Sequence, residues 1–95
     1  MPEEWRRASE IFTAMGEPHR QSILLLFEPG EVLSISDIVR EIPLSRTAVV
    51  HHLKVLESAG ILCRKKHGKT ISYTLEHGTV LKALEDLRDY INSVF

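Results

Sequence analysis

Apolar residues recur along this chain at two spacings, and the change from one to the other falls at Gly60. Before it the helical spacing of three and four prevails. Trp5, Ala8, Ile11, Phe12 and Met15 mark an amphipathic helix over residues 3–15, with Glu3 and Glu4 near its positive end and Gly16 breaking it. Pro18 suits the first turn of a second helix, which runs into Ile23-Leu24-Leu25-Leu26-Phe27. A run apolar on all sides predicts a buried central helix, ended by Pro29-Gly30. A third, short helix starts near Ser34. Ser34 and Asp37 have the form of a capping box, Ile35, Ile38, Val39 and Ile42 supply the apolar side, and Pro43 closes it.

Leu44 then leads into the most informative stretch. Ser45 is a good N-cap and Gly60 a good stop. Between them Ala48, Val49, Leu53, Val55, Leu56 and Ala59 form a broad apolar stripe. The other stripe is Arg46, Thr47, Val50, His51 and Lys54, with no acid until Glu57. After Gly60 the period falls to about two. Ile61–Lys66 and Thr70–Leu75 read as two strands, with His67-Gly68-Lys69 as the hairpin turn. From about Gly78 to Phe95 helical spacing returns, in Leu81, Leu84, Leu87, Ile91 and Val94. Two short helices with a tight connection, then a basic hairpin, make a winged helix-turn-helix. The predicted order is α-α-α-α-β-β-α, mainly α with a β-hairpin wing, in a single domain over residues 1–95.

Charge sharpens this picture. The net charge is only −1. Between Leu44 and Leu75, however, Arg46, Lys54, Arg64, Lys65, Lys66 and Lys69 face the single acid Glu57, so that segment is five charges positive and the remainder six negative. Such a split suits one face directed at a polyanion. With 43% hydrophobic and 26% charged residues, the composition is globular and excludes disorder. The longest apolar run, Ile23–Phe27, is far short of the ~20 residues needed to cross a bilayer. The N-terminal residues lack an apolar signal core, so a cytoplasmic protein without membrane association is expected. A single cysteine, Cys63, permits no intrachain disulfide and fits a reducing compartment.

Three motifs resemble the ArsR/SmtB family of winged-helix transcriptional repressors. They are Met15–Leu24 (the approach to the second helix), Leu44–Ile61 (similar to the family's recognition helix almost position by position) and Lys65–Tyr73 (similar to its wing). The resemblance spans roughly residues 8–92. It implies a homodimer that binds a palindromic operator on double-stranded DNA and is released by an inducer. Val50 departs from it, standing where the family usually has Ser. A valine cannot donate a hydrogen bond but can meet a thymine methyl.

On this reading the Ser45 end of the fourth helix enters the major groove. Arg46 pairs with guanine O6 and N7 or with a phosphate, Thr47 and His51 bond bases or backbone, Val50 meets a methyl and Lys54 a phosphate. In the wing, Lys66, His67 and Lys69 meet phosphates or the flanking minor groove. His52 lies about 100° round the helix from His51 and is read as packed against the domain body. Trp5, Ile11 and Phe12 of the first helix and Leu81, Leu84, Leu87, Ile91 and Val94 of the last are read as the dimer surface. It would set recognition helices about 34 Å apart, one turn of DNA.

Neither usual metal site of that family is expected, and no cofactor. Ser34 and Ser36 stand where one site has Cys-x-Cys, and a neutral hydroxyl is a poor substitute for a thiolate. At the other, His77 matches the first histidine, but Leu75 stands in place of Asp and Arg88 in place of the second His. His51 and His52 diverge round the helix and cannot chelate one ion together. A site built from His19, His67 or His77 across a dimer stays open as a lesser alternative. Cys63 is read as a small half-buried strand residue rather than a sensor thiol. The inducer is left unassigned.

The expected function is a sequence-specific DNA-binding regulator, a homodimeric repressor of an inverted repeat. The alternatives are a protein-interaction winged helix, or a metal or redox sensor with a non-standard site. No nucleophile-base constellation, no phosphate loop and no room for a sizeable pocket argue against an enzyme.

Overall fold

The computed structural model describes residues 2–95. The elements are α1 (Glu3–Met15), α2 (Pro18–Leu24), β1 (Val32–Ser34), α3 (Ile35–Glu41), α4 (Arg46–Ser58), β2 (Leu62–His67), β3 (Thr70–Leu75) and α5 (His77–Val94). Five helices and an antiparallel wing agree with the sequence reading, except for β1. That three-residue strand pairs with β3, Val32 opposite Thr74 and Ser34 opposite Ser72, giving a sheet of order β1-β3-β2. It covers a β3 edge that would otherwise expose unpaired backbone groups.

Local chemistry sets the helix ends. Ser34 and Asp37 complete a reciprocal capping box: the Ser34 hydroxyl accepts from the Asp37 amide at 3.0 Å, and the Asp37 carboxylate accepts from the Ser34 amide at 2.9 Å. Ile42, preceding Pro43, is extended (φ −106°, ψ 126°), which stops α3 there. Ser45 caps α4, its Oγ accepting from the Ala48 amide at 3.1 Å. At the far end Gly60 takes φ +77°, and the amides of Gly60 and Ile61 donate to the carbonyls of Glu57 and Leu56. This paired Schellman closure needs a residue tolerant of positive φ and anchors Ile61 in the core.

The core gathers Ala8, Ile11 and Ala14 of α1, Ile23 and Phe27, Ile35 and Ile38 of α3, Val49, Leu53 and Leu56 of α4, then Ile61, Leu62, Tyr73 and Ala83. The second helix departs from expectation. It ends at Leu24, and the chain tightens through bonds from the Leu26 amide to Ile23 and from the Phe27 amide to Leu24. Those three-residue turns place Ile23 and Phe27 inward and leave Leu25 85% exposed. A domain this small offers a core to one side of α2 only, so the run is not buried all round.

Candidate nucleic-acid interface

The connection from α3 to α4 is short, and packing of Ile38 and Ile42 with Val49 and Leu53 in one core fixes how α4 is presented. With Val49, Leu53 and Leu56 inward, Arg46, Thr47, His51 and Lys54 are exposed along the outer face, and Ser45 stands exposed at its start. Val50 is half-buried and touches the core with part of its side chain, so it offers less surface than the sequence stripe suggested. Glu57, on the last turn, is the first acid on α4.

The wing adjoins α4. β2 and β3 pair antiparallel with Arg64 opposite Tyr73, Lys65 opposite Ser72, Lys66 opposite Ile71 and His67 opposite Thr70. The turn is therefore two residues, Gly68-Lys69, rather than the three read from sequence. Gly68 has φ +60° and Lys69 does not, the pattern of a II′ hairpin with glycine first. Arg64, Lys65, Lys66, His67 and Lys69 are all exposed. Tyr73, buried beneath them, keeps its phenol above the ordinary value because burial disfavours the phenolate and Glu57 adds to that. Of the nine positions singled out for DNA, eight are exposed and Val50 is half-buried; six lie at the start and along the outer face of α4 and three on the wing. Cys63 is half-buried at the start of β2.

The positions expected at a dimer surface divide. Leu81, Leu84, Ile91 and Val94 are exposed on α5, while Trp5, Phe12 and Leu87 are half-buried, with Trp5 against Tyr90 at 4.9 Å between ring centres. Ile11 is a correction. It is 3% exposed and lies inside the chain's own core beside Ala8 and Ala14, so it has almost no surface to offer a partner. Periodicity alone does not distinguish a stripe covered by the same chain from one covered by another.

His52 does pack against the domain body, and what it packs against was not read from sequence. Its side chain, 14% exposed, meets the start of α2. There His52 Nδ1 lies 3.8 Å from Glu17 Oε2 and 3.3 Å from the Arg20 Nη1, and its ring stacks on His19 at 5.8 Å. Glu17 caps α2, accepting from the Arg20 amide at 2.9 Å, and its other oxygen bonds His19 Nδ1 at 2.8 Å. Burial opposes ionisation of Glu17, but the His19 bond, the Arg20 amide and the charges of His52 and His19 together hold its carboxyl below the usual range. Burial pushes His52 below an ordinary histidine; Glu17 pulls the other way, and Arg20, His51 and His19 reinforce burial. Glu17, His19 and His52 each offer one potential ligand atom within 4.8 Å of the others. Glu17 and His52 stand 35 positions apart in the chain, so only the fold brings them together.

Among the described residues no helix is long and apolar enough to cross a membrane. A helix-turn-helix domain family matches residues 15–62. The uncharacterized HTH-type transcriptional regulator MJ1325 of Methanocaldococcus jannaschii is 35% identical over 66 residues, 70% of this chain and 74% of that protein. The transcriptional repressor SdpR of Bacillus subtilis is 26% identical, over 88% of this chain and 92% of its own. Among solved structures, HlyU of Vibrio cholerae superposes with a TM-score of 0.76 at 27% identity, covering 96% of this chain and 97% of that one. An ArsR-like regulator from Rhodococcus reaches a TM-score of 0.83 over 94% of this chain and 83% of its own, and at 24% identity supports the fold. The chain belongs to the ArsR/SmtB family of winged helix-turn-helix DNA-binding transcriptional regulators.

Proposed function

We propose that this regulator acts as a homodimeric repressor of an inverted-repeat operator, with α4 as its recognition helix. The observation that carries this reading is the outer face of α4, where Arg46, Thr47, His51 and Lys54 are exposed with no acid among them, on a helix that packs against β2 of a wing carrying five exposed basic residues. A helix bound for protein or for water alone would mix carboxylates into that face. Here Ser45, Arg46, Thr47, Val50 and His51 occupy the N-terminal half, the part that reaches base edges when a helix enters the major groove. Arg46 is the residue suited to bidentate pairing with guanine, and Val50 offers its remaining apolar surface to a thymine methyl. Lys54, Lys66, His67 and Lys69 supply phosphate contacts, which position the protein without reading sequence.

Dimerisation through α1 and α5 is supported by Leu81, Leu84, Ile91 and Val94, large apolar residues left exposed along α5, the helix that α1 packs against. Such exposure, unusual on a solitary soluble domain, fits a second copy related by a twofold axis. Repression requires only that the bound dimer occupy the DNA. The relatives SdpR and an SmtB homolog of Synechocystis are named as repressors and HlyU as an activator. Transcription in vitro from a template carrying the selected operator tests the sign: added protein should lower transcript yield in step with operator occupancy, and a rise would identify an activator.

A further inference from the structure

We propose that Glu17, His19 and His52 form a binding site for a divalent cation of borderline softness, such as Zn²⁺, Co²⁺ or Ni²⁺, which joins the start of α2 to α4 and displaces the Arg20 guanidinium. Two imidazoles and a carboxylate are the donor set that such ions take, with water completing the coordination. Most of the geometry is in place. Glu17 lies 2.8 Å from His19 Nδ1 and 3.8 Å from His52 Nδ1. Ligand atoms around a tetrahedral ion with bonds of about 2.1 Å sit roughly 3.4 Å apart, so closure needs side-chain adjustment of about 1 Å rather than backbone rearrangement. The His19 and His52 rings are nearly parallel, 21° between planes, and each has Nδ1 within 4 Å of the same carboxylate. Glu17 and His19 are 30% and 45% exposed at their side chains, which leaves a path for the ion and room for its water.

Arg20 gives the site its consequence. Its Nε donates to the Ala14 carbonyl at 2.6 Å and its Nη2 to the Thr13 carbonyl at 3.4 Å, closing the end of α1, while Nη1 points at His52 Nδ1. In the free protein the guanidinium is the cation that faces this imidazole. A divalent ion on His52 and a guanidinium 3.3 Å away repel, so binding one releases the other. The released Arg20 loosens its hold on the last carbonyls of α1, the helix that packs along α5. Metal occupancy thereby links α4, the proposed recognition helix, to α1 and α5, the proposed dimer helices. The site stands without the operator-binding reading; its effect on DNA rests on that reading.

The test titrates Co²⁺ into the full-length chain and follows its visible absorption. One ion per chain is expected, with the spectrum of a four- or five-coordinate centre. His19→Ala, Glu17→Gln and His52→Gln should each weaken binding roughly tenfold or more. His19 is the least packed of the three, so that variant retains the fold where His52→Gln fails to. Arg20→Gln should tighten binding, because it removes the opposing charge. A Co²⁺ affinity that is the same in wild type and His19→Ala, or no stoichiometric binding, overturns the site. In a second arm, saturating Co²⁺ should shift operator affinity ~5-fold or more in wild type and not in His19→Ala. Unchanged affinity with the ion bound overturns the coupling. Absence of DNA binding both with and without metal would instead count against the operator reading, which the absorption arm does not use.

Discussion

Helices α4 and α5 are both amphipathic, yet their outer faces are opposites. α4 has 13 residues, of which Val49, Leu53 and Leu56 are buried, and its exposed residues are Arg46, Thr47, His51 and Lys54, with Glu57 and Ser58 in the last turn. α5 has 18 residues, of which only Ala83 is buried, and exposed leucine, isoleucine and valine run along it. The apolar area that α5 leaves in water is what the proposed dimer would cover, whereas α4 buries its apolar stripe within the chain and presents charge. Under the proposed function the difference teaches how one domain would divide two tasks between its faces: charge on α4 and the wing for a polyanion, apolar area on α5 for a second protein surface.

The largest expected effect comes from breaking the α5 side. Leu84→Glu with Ile91→Glu should convert a dimer to a monomer by sedimentation while circular dichroism stays unchanged, since both residues are exposed in the single chain. Operator affinity should fall ~100-fold or more, as the second half-site no longer binds intramolecularly. Retained tight binding by the monomer would separate the two faces and end the dimer account.

On the α4 side, Arg46→Ala should cost operator binding about 1–3 kcal/mol and random DNA less, as read by competition binding. Equal losses on both would make Arg46 a phosphate contact. Ser45→Ala removes the cap bond to the Ala48 amide and should lower stability by ~1 kcal/mol in denaturant unfolding. Lys69→Ala should weaken all sequences similarly, by a few fold, and reduce the slope of log affinity against log salt by about 1.

The smallest effect is one of pH. His52 titrates below the ordinary histidine value of 6.5, so the folded chain binds fewer protons than the unfolded chain just below that pH. Its contribution is full above 6.5 and is lost as pH falls through the lower folded value. Thermal stability should therefore drop on acidification below pH 6.5, less steeply in His52→Gln. An identical pH profile in that variant would remove His52 from the account.

Much of this architecture is legible locally. Ser34 with Asp37, Ser45 with Gly60, and Gly68 each specify a backbone feature through their own chemistry, so α3, α4 and the wing follow from nearby residues. What is not legible depends on distant partners. Val32-Leu33-Ser34 is too short to announce a strand and becomes one only because β3 lies beside it. Leu25 faces water because the core is on the other side of α2, and Ile11 is covered by its own chain. The basic positions of the proposed interface were visible as a charge imbalance from Leu44 to Leu75. The cluster of Glu17, His19, Arg20 and His52 was not, because nothing in the periodicity of α2 or α4 says which of their faces meet.

The most direct test of a dimer that reads DNA through α4 is selection of bound duplexes from a random pool by the full-length chain. The account predicts enrichment of an inverted repeat whose half-site centres lie about one helical turn, 10–10.5 base pairs, apart. A pool with no enriched sequence, or a single unrepeated half-site, would contradict it.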